Sequence, residues 1–173
     1  MVLCNVECVK RVSEYLRVPP GNLYMSENNI VASDSIIENE PVEGFSSIVQ
    51  ALATNSLCPA KHIGSDPEQQ ALTRQWLEYA VLYVNYADNS VNCKRILREL
   101  NDALRYNTYF TGTEQTIADV VLYYLLHSIM RDLTYNEKAR YINVSRWFDN
   151  IQQNLESKQK LELVNFDLLH LYL

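Results

Sequence analysis

His127, Asp119 and Arg146 are the side chains whose types and surroundings come nearest to chemistry, and each has a competing structural reading. His127 lies between Tyr124 and Arg131 at helical spacing, where an imidazole can act as a general base. No motif sets a nucleophile beside it, so a satisfied helix histidine is the favoured reading. His62 and His170 lie far from it in the sequence, and the three do not converge on one site. Asp119 opens an almost wholly apolar run, and a carboxylate there can be catalytic. Yet Thr116-Ile117-Ala118-Asp119 has the spacing of a capping box, in which the Thr116 hydroxyl accepts from the Asp119 N–H and the carboxylate returns to the Thr116 N–H. Thr116 and Asp119 are therefore read as a structural device that starts a helix. Arg146 follows Asn143, a candidate N-cap, and precedes Trp147-Phe148. Its guanidinium suits an acidic group within the chain or on another protein, and the enrichment of arginine at interfaces tips the choice toward a partner.

Composition removes several classes of function. The net charge is -6 and the pI near 5.1, so no global field attracts phosphate backbones and direct nucleic-acid binding is not expected. None of the 4 glycines falls in a phosphate-cradling loop. Cys4, Cys8, Cys58 and Cys93 form no CxxC pair, and with no secretory leader recognised they predict a reducing intracellular compartment. Cys4 and Cys8 at i,i+4 would share a helix face, but no matching His/Cys pair completes a zinc set, so they read as small hydrophobes. Tyr79, Tyr83, Tyr123 and Tyr124 fall on apolar helix faces without the basic groove that a base-stacking platform requires. The apolar run from Val120 to Leu126 is far shorter than a membrane span. No cofactor, metal or membrane is expected.

These side chains need elements to hold them. Residues 2–17 carry Val2, Val6, Val9, Val12 and Leu16 at helical spacing, and Pro19-Pro20-Gly21 stops that helix. The stretch from Asn29 through Val42 predicts two short strands, followed by a helix from Ser46 to about Thr54. Residues 55–66 shift to turn formers and read as a linker between a small mixed unit, 1–54, and an all-helical domain, 67–173. Asp66-Pro67 opens a helix to about Ala87 that should bury Leu72, Trp76, Tyr79, Ala80 and Tyr83. Asn92 should open the next, with Ile96, Leu97, Leu100 and Leu104 inward, and Thr116 the one after. Thr134 to Glu137 repeats the capping-box spacing, Asn143 caps the helix of Trp147 and Ile151, and a last helical segment carries Leu161, Val164, Leu168 and Leu169.

Gln75 to Tyr79, Leu100-Asn101, Tyr109 to Gly112, the Thr116 box and Tyr141 to Phe148 together resemble the glutathione-transferase-like superfamily. Within it they resemble aminoacyl-tRNA synthetase complex-interacting multifunctional proteins of the third, elongation-factor-one-epsilon kind. The resemblance implies a mostly helical α+β fold, with a truncated thioredoxin-like N-terminal unit and an all-α C-terminal domain. It also implies a non-catalytic scaffold that joins the transferase-like domains of methionyl-tRNA synthetase and glutamyl-prolyl-tRNA synthetase in support of translation. One interface would involve Gln50 and Arg74, and the other Asn143, Ser145 and Arg146; a homodimer of the isolated chain is allowed. The resemblance places such a protein in the cytoplasm and, as a second location, the nucleus. The competing reading is a divergent glutathione transferase or peroxidase. Against it, the thiol-activating Tyr, Ser or Cys position of the enzymes is missing, no proline precedes Val31, and Gly44-Phe45 stands where the enzymes carry an acid or Gln and then a hydroxyl.

Overall fold

The computed structural model describes residues 3–27, 30–37, 40–87, 89–155 and 161–166. Val2, Asn29, Leu168, Leu169 and His170 lie outside the described residues. The order of elements is α1 (Val6–Leu16), β1 (Asn22–Met25), β2 (Val31–Ile37), β3 (Glu40–Glu43), α2 (Phe45–Thr54), α3 (Pro59–Ile63), α4 (Pro67–Leu82), a 3-10 turn (Val84–Tyr86), α5 (Ser90–Ala103), α6 (Ile117–Asp132), α7 (Tyr135–Arg140) and α8 (Ile142–Leu155).

The first helix begins later than its apolar spacing predicts. Asn5 is the N-cap, its side chain accepting from the Cys8 N–H at 3.0 Å, so Cys4 precedes the helix and does not share a face with Cys8. Both thiols are nevertheless buried, in keeping with small hydrophobes. Three strands form an antiparallel meander in the order β1-β2-β3, where two were expected. Asn22 pairs with Asp34 and Met25 with Val31, while β2 and β3 pair through Ser33 and Val42 with a register shift before Ile37. A short helix, α3, lies inside the stretch read as linker, opened by Pro59, whose missing N–H costs nothing there.

One apolar cluster runs through the molecule, taking in Val9 and Val12 of α1, Ile48 and Leu52 of α2, Leu77 of α4, Leu97 of α5, the apolar residues of α6, and Trp147 and Phe148 of α8. The α4 helix ends at Leu82, five residues short of its predicted end, and tightens into the 3-10 turn. Its buried stripe is Thr73, Leu77 and Ala80, with Trp76 and Tyr79 only half-buried and Tyr83 exposed. Asn89, not Asn92, caps α5, accepting from the Val91 N–H at 2.9 Å.

The buried Asp119 joins four parts of this cluster. Its Oδ2 accepts from the Thr116 N–H at 2.9 Å, the return half of the predicted box. The Thr116 hydroxyl is in capping position and contacts the same oxygen at 3.4 Å. Oδ1 does more than the spacing predicts: it accepts from the Phe110 N–H at 3.0 Å and from Trp147 Nε1 at 2.9 Å. Phe110 sits in a two-residue turn closed by reciprocal Tyr109 and Gly112 backbone bonds, with Gly112 at φ 116, a conformation that side chains resist. Its carbonyl accepts from Trp76 Nε1 at 2.9 Å, and its ring lies 4.6 Å from that of Trp76 and 4.8 Å from that of Trp147. Burial pushes the Asp119 carboxyl up and the four donors pull it back.

Thr116→Ala should cost about 1 kcal/mol in urea unfolding, as for an ordinary cap. Asp119→Ala, which orphans three buried N–H groups, should cost about 3 kcal/mol or more. Trp147→Phe should fall between them, at about 2 kcal/mol, by loss of one charge-assisted bond. Equal losses from Thr116→Ala and Asp119→Ala would reduce Asp119 to a cap.

Candidate partner-binding faces

The described residues named from the sequence as candidates do not come together at one site; they divide between a core device and two surfaces. Asp119 and Thr116 are buried in the core. His127 is also buried, donating from Nε2 to the Glu162 carbonyl at 2.8 Å, with the rings of Tyr123 and Phe148 beside it at 6.0 and 6.1 Å. His62 lies in α3, its ring edge-on to Tyr15 at 5.7 Å. Gln50 on α2 and Arg74 on α4 belong to helices that pack on each other. Gln50 is half-buried and donates to Ser46 Oγ at 3.0 Å, whereas Arg74 is exposed and makes no hydrogen bond or ion pair among the described residues.

The α8 surface is built differently from the expectation. Asn143 is the second residue of α8 and does not cap it. The cap comes from α5: Asn101 Oδ1 accepts from the N–H groups of Asn143 at 3.0 Å and Val144 at 3.4 Å, while Asn143 Nδ2 donates to the Asn101 carbonyl at 3.1 Å. A local side chain at the helix start is unnecessary because a neighbouring helix satisfies the free N–H groups. Arg146 returns the favour. Its Nη2 donates to the carbonyls of Leu104 at 3.1 Å and Asn107 at 2.8 Å, placing a cation at the carbonyl end of α5. These partners are backbone carbonyls, where an acidic group was expected. Ser145 faces inward, its hydroxyl donating to the Lys138 carbonyl at 2.8 Å.

Two apolar residues that sequence reasoning passed over flank Arg146. Ile142, one turn earlier on α8, is 61% exposed, and Tyr106, next to Asn107, is 89% exposed. A shallow pocket of about 180 Å³ at Ile142 and Arg146 is also lined by Tyr135, Lys138, Ala139, Ser145, Asp149 and Phe166. The surface thus presents an aromatic, an aliphatic and a held guanidinium, the residue types of interface anchors.

The N-terminal unit offers little to a thiol substrate. Gly44 is the N-cap of α2 at φ 99 with no side-chain hydrogen bond, and the ring of Phe45 is buried behind it. Burial pushes the Cys8 thiol up to about 12 and raises that of Cys4 further, so neither is an activated thiolate. Cys93, half-buried in a cleft of about 400 Å³ between α5, α6 and α7, is raised by burial and by Glu137. Among the described residues no His, Cys, Asp and Glu group could hold a metal ion, and no helix is long and apolar enough to cross a membrane.

Comparison with known proteins decides the family. A family model described as nuclear-export cofactor Arc1p matches residues 69–155. Eukaryotic translation elongation factor 1 epsilon-1 of Cricetulus griseus is 34% identical over 166 residues, 95% of this chain and 94% of its own length. The chain belongs to the elongation factor 1 epsilon-1 family. The human elongation factor 1 epsilon-1 is 42% identical over 110 residues, covering 64% of this chain and 63% of the relative. Among solved structures, a glutathione S-transferase from Pichia kudriavzevii superposes with a TM-score of 0.69 at 12% identity, covering 86% of each chain. The family's glutathione-transferase-like, mostly helical α+β fold is therefore that of this elongation factor 1 epsilon-1 relative too.

Asn101→Ala should cost about 1–2 kcal/mol, the loss of a cap that serves two N–H groups, measured by urea unfolding. At the start of α7, the Thr134 N–H and hydroxyl donate to Glu137 at 3.0 and 2.8 Å and hold its carboxyl below the usual carboxylate range. A lowered folded-state value makes this contribution full above the unfolded pKa, about 4.3, and lost as pH falls through the folded one. The urea midpoint of Glu137→Gln should therefore converge on that of the parent as pH drops below about 4. A gap that persists at low pH would disprove the linkage.

Proposed function

We propose that this chain is a non-catalytic adaptor of the multi-aminoacyl-tRNA synthetase complex, using its two faces to join transferase-like domains of methionyl-tRNA synthetase and glutamyl-prolyl-tRNA synthetase. The observation that carries the reading is the similarity to elongation factor 1 epsilon-1 along 95% of the chain. The apolar start of α2 supports the non-catalytic half of it, since Gly44 and Phe45 supply neither acceptor nor hydroxyl to a γ-glutamyl group. The α2–α4 surface with Gln50 and Arg74 is one face. The other is the α8 surface, on which Arg146, Tyr106 and Ile142 make contact while Asn143 and Ser145 fix the helix. Its place of action is the cytoplasm, with the nucleus as a second location.

Arg146→Glu should release one synthetase on affinity purification from cell extract and spare the other. Arg74→Glu should do the reverse. Both variants should keep the parent's circular dichroism, with Arg146→Glu losing about 1 kcal/mol because a carboxylate replaces a cation at the end of α5. Co-purification of both synthetases with both variants would remove these arginines from the interface, and absence of any synthetase would remove the adaptor reading. Retention on immobilised glutathione, together with conjugation of a generic electrophile, would favour the enzyme alternative instead.

A further inference from the structure

The cleft between α5, α6 and α7 shares no lining residue with the side chains assigned to either partner face. Its volume of about 400 Å³ falls within the range of small-molecule sites, about 300–1,000 Å³. Ser90, Cys93, Lys94 and Leu97 recur at helical spacing along one side of α5. Leu97, Ala87 and the ring of Tyr141 make a buried apolar floor, and the half-buried Ile129 and Leu133 form a wall. Polar groups that the fold does not use converge on this space. Tyr141 is only 6% exposed, yet its hydroxyl makes no hydrogen bond among the described residues. A buried phenol ordinarily finds a partner, and one left without it is costly. At the rim, Asp132 gives Oδ1 to Arg131 at 3.0 Å, and Glu137 gives Oε2 to Thr134. The other oxygen of each carboxylate makes no hydrogen bond among the described residues.

We propose that this cleft binds a small amphipathic cation, a primary amine on an aromatic or aliphatic body. The body lies on Leu97, Ile129 and Leu133, and the ammonium, with three donors and no acceptor, takes the free carboxylate oxygens of Asp132 and Glu137. The Tyr141 hydroxyl supplies the most buried polar contact. Charge selects this class over its isosteres. Lys94 is the one cation of the lining among the described residues, against two carboxylates, so an anion of the same shape is repelled. A neutral ligand gains the apolar contact but leaves both rim oxygens as they were. Cys93 is a wall of the cleft and not a nucleophile in it, because burial and Glu137 keep its thiol protonated.

That thiol reports on occupancy. In the full chain carrying Cys58→Ser, Cys93 is the accessible thiol, since Cys4 and Cys8 are buried. Its modification by methyl methanethiosulfonate at neutral pH, followed by mass spectrometry, should slow several-fold and saturably with phenethylamine. Phenylpropionate and phenethyl alcohol at the same concentration should leave the rate unchanged. Tyr141→Phe and Glu137→Gln should each weaken the protection several-fold while keeping the parent's circular dichroism. No protection by the amine, equal protection by the carboxylate or the alcohol, or undiminished protection in either variant would overturn the proposal. A second measurement needs no substitution. Titration of the parent chain with phenethylamine should move the backbone amide NMR signals around the cleft and leave those of Arg74 and Arg146 in place. Shifts spread over the whole surface would show only the attraction of an amine to a chain of net charge -6, and would overturn the site. Failure in these experiments leaves the adaptor reading untouched, because neither depends on a synthetase.

Discussion

A carboxylate buried away from water constrains everything packed around it. Asp119 is fully covered, and the unfavourable transfer of its charge is offset only if each oxygen is met by donors. Those donors come from the α6 N-terminus, from the Phe110 turn and from α8. The position of one side chain thereby fixes the start of one helix, the conformation of a turn and the approach of another helix. Trp76 adds α4 through the Phe110 carbonyl. Apolar contacts supply most of the burial in this region, but they tolerate sliding; the hydrogen-bonded carboxylate does not.

Both proposed faces depend on this centre at one remove. The α8 surface carries Arg146 next to Trp147 in sequence, so the indole that meets Asp119 also sets the rotation of the helix and the direction in which the guanidinium points. Preorganisation of this kind lowers the ordering cost of association, because Arg146 is already held on two carbonyls before any partner arrives.

Much of the fold was legible. The Thr116 and Thr134 boxes, the Asp66-Pro67 start and the apolar faces of α5 and α6 are local signals, and the chain follows them. Three of the misreadings share a physical cause: a distant group did what a local one was expected to do. Asn143 looked like a cap because Asn101, forty-two residues away, could not be seen to serve it. Residues 161–166 looked helical because Gln152, His127 and Lys138 were not known to take their backbone groups. Arg146 looked like half of an ion pair because carbonyl partners leave no trace in composition. The first strand was missed for a simpler reason: Asn22 to Met25 is short and mostly exposed, with little alternation to detect.

The exchange between α5 and α8 bears on how this surface can change over evolutionary time. Asn101 serves α8 and Arg146 serves α5, so neither position is free to drift for the sake of a new partner without loosening the opposite helix. Replacing Arg146 leaves two carbonyls for water to cover, and replacing Asn101 frees two amides beneath the same surface. Substitutions at the two positions should therefore travel together in an alignment of relatives, and a lineage that abandons this face would show it first as relaxation of both.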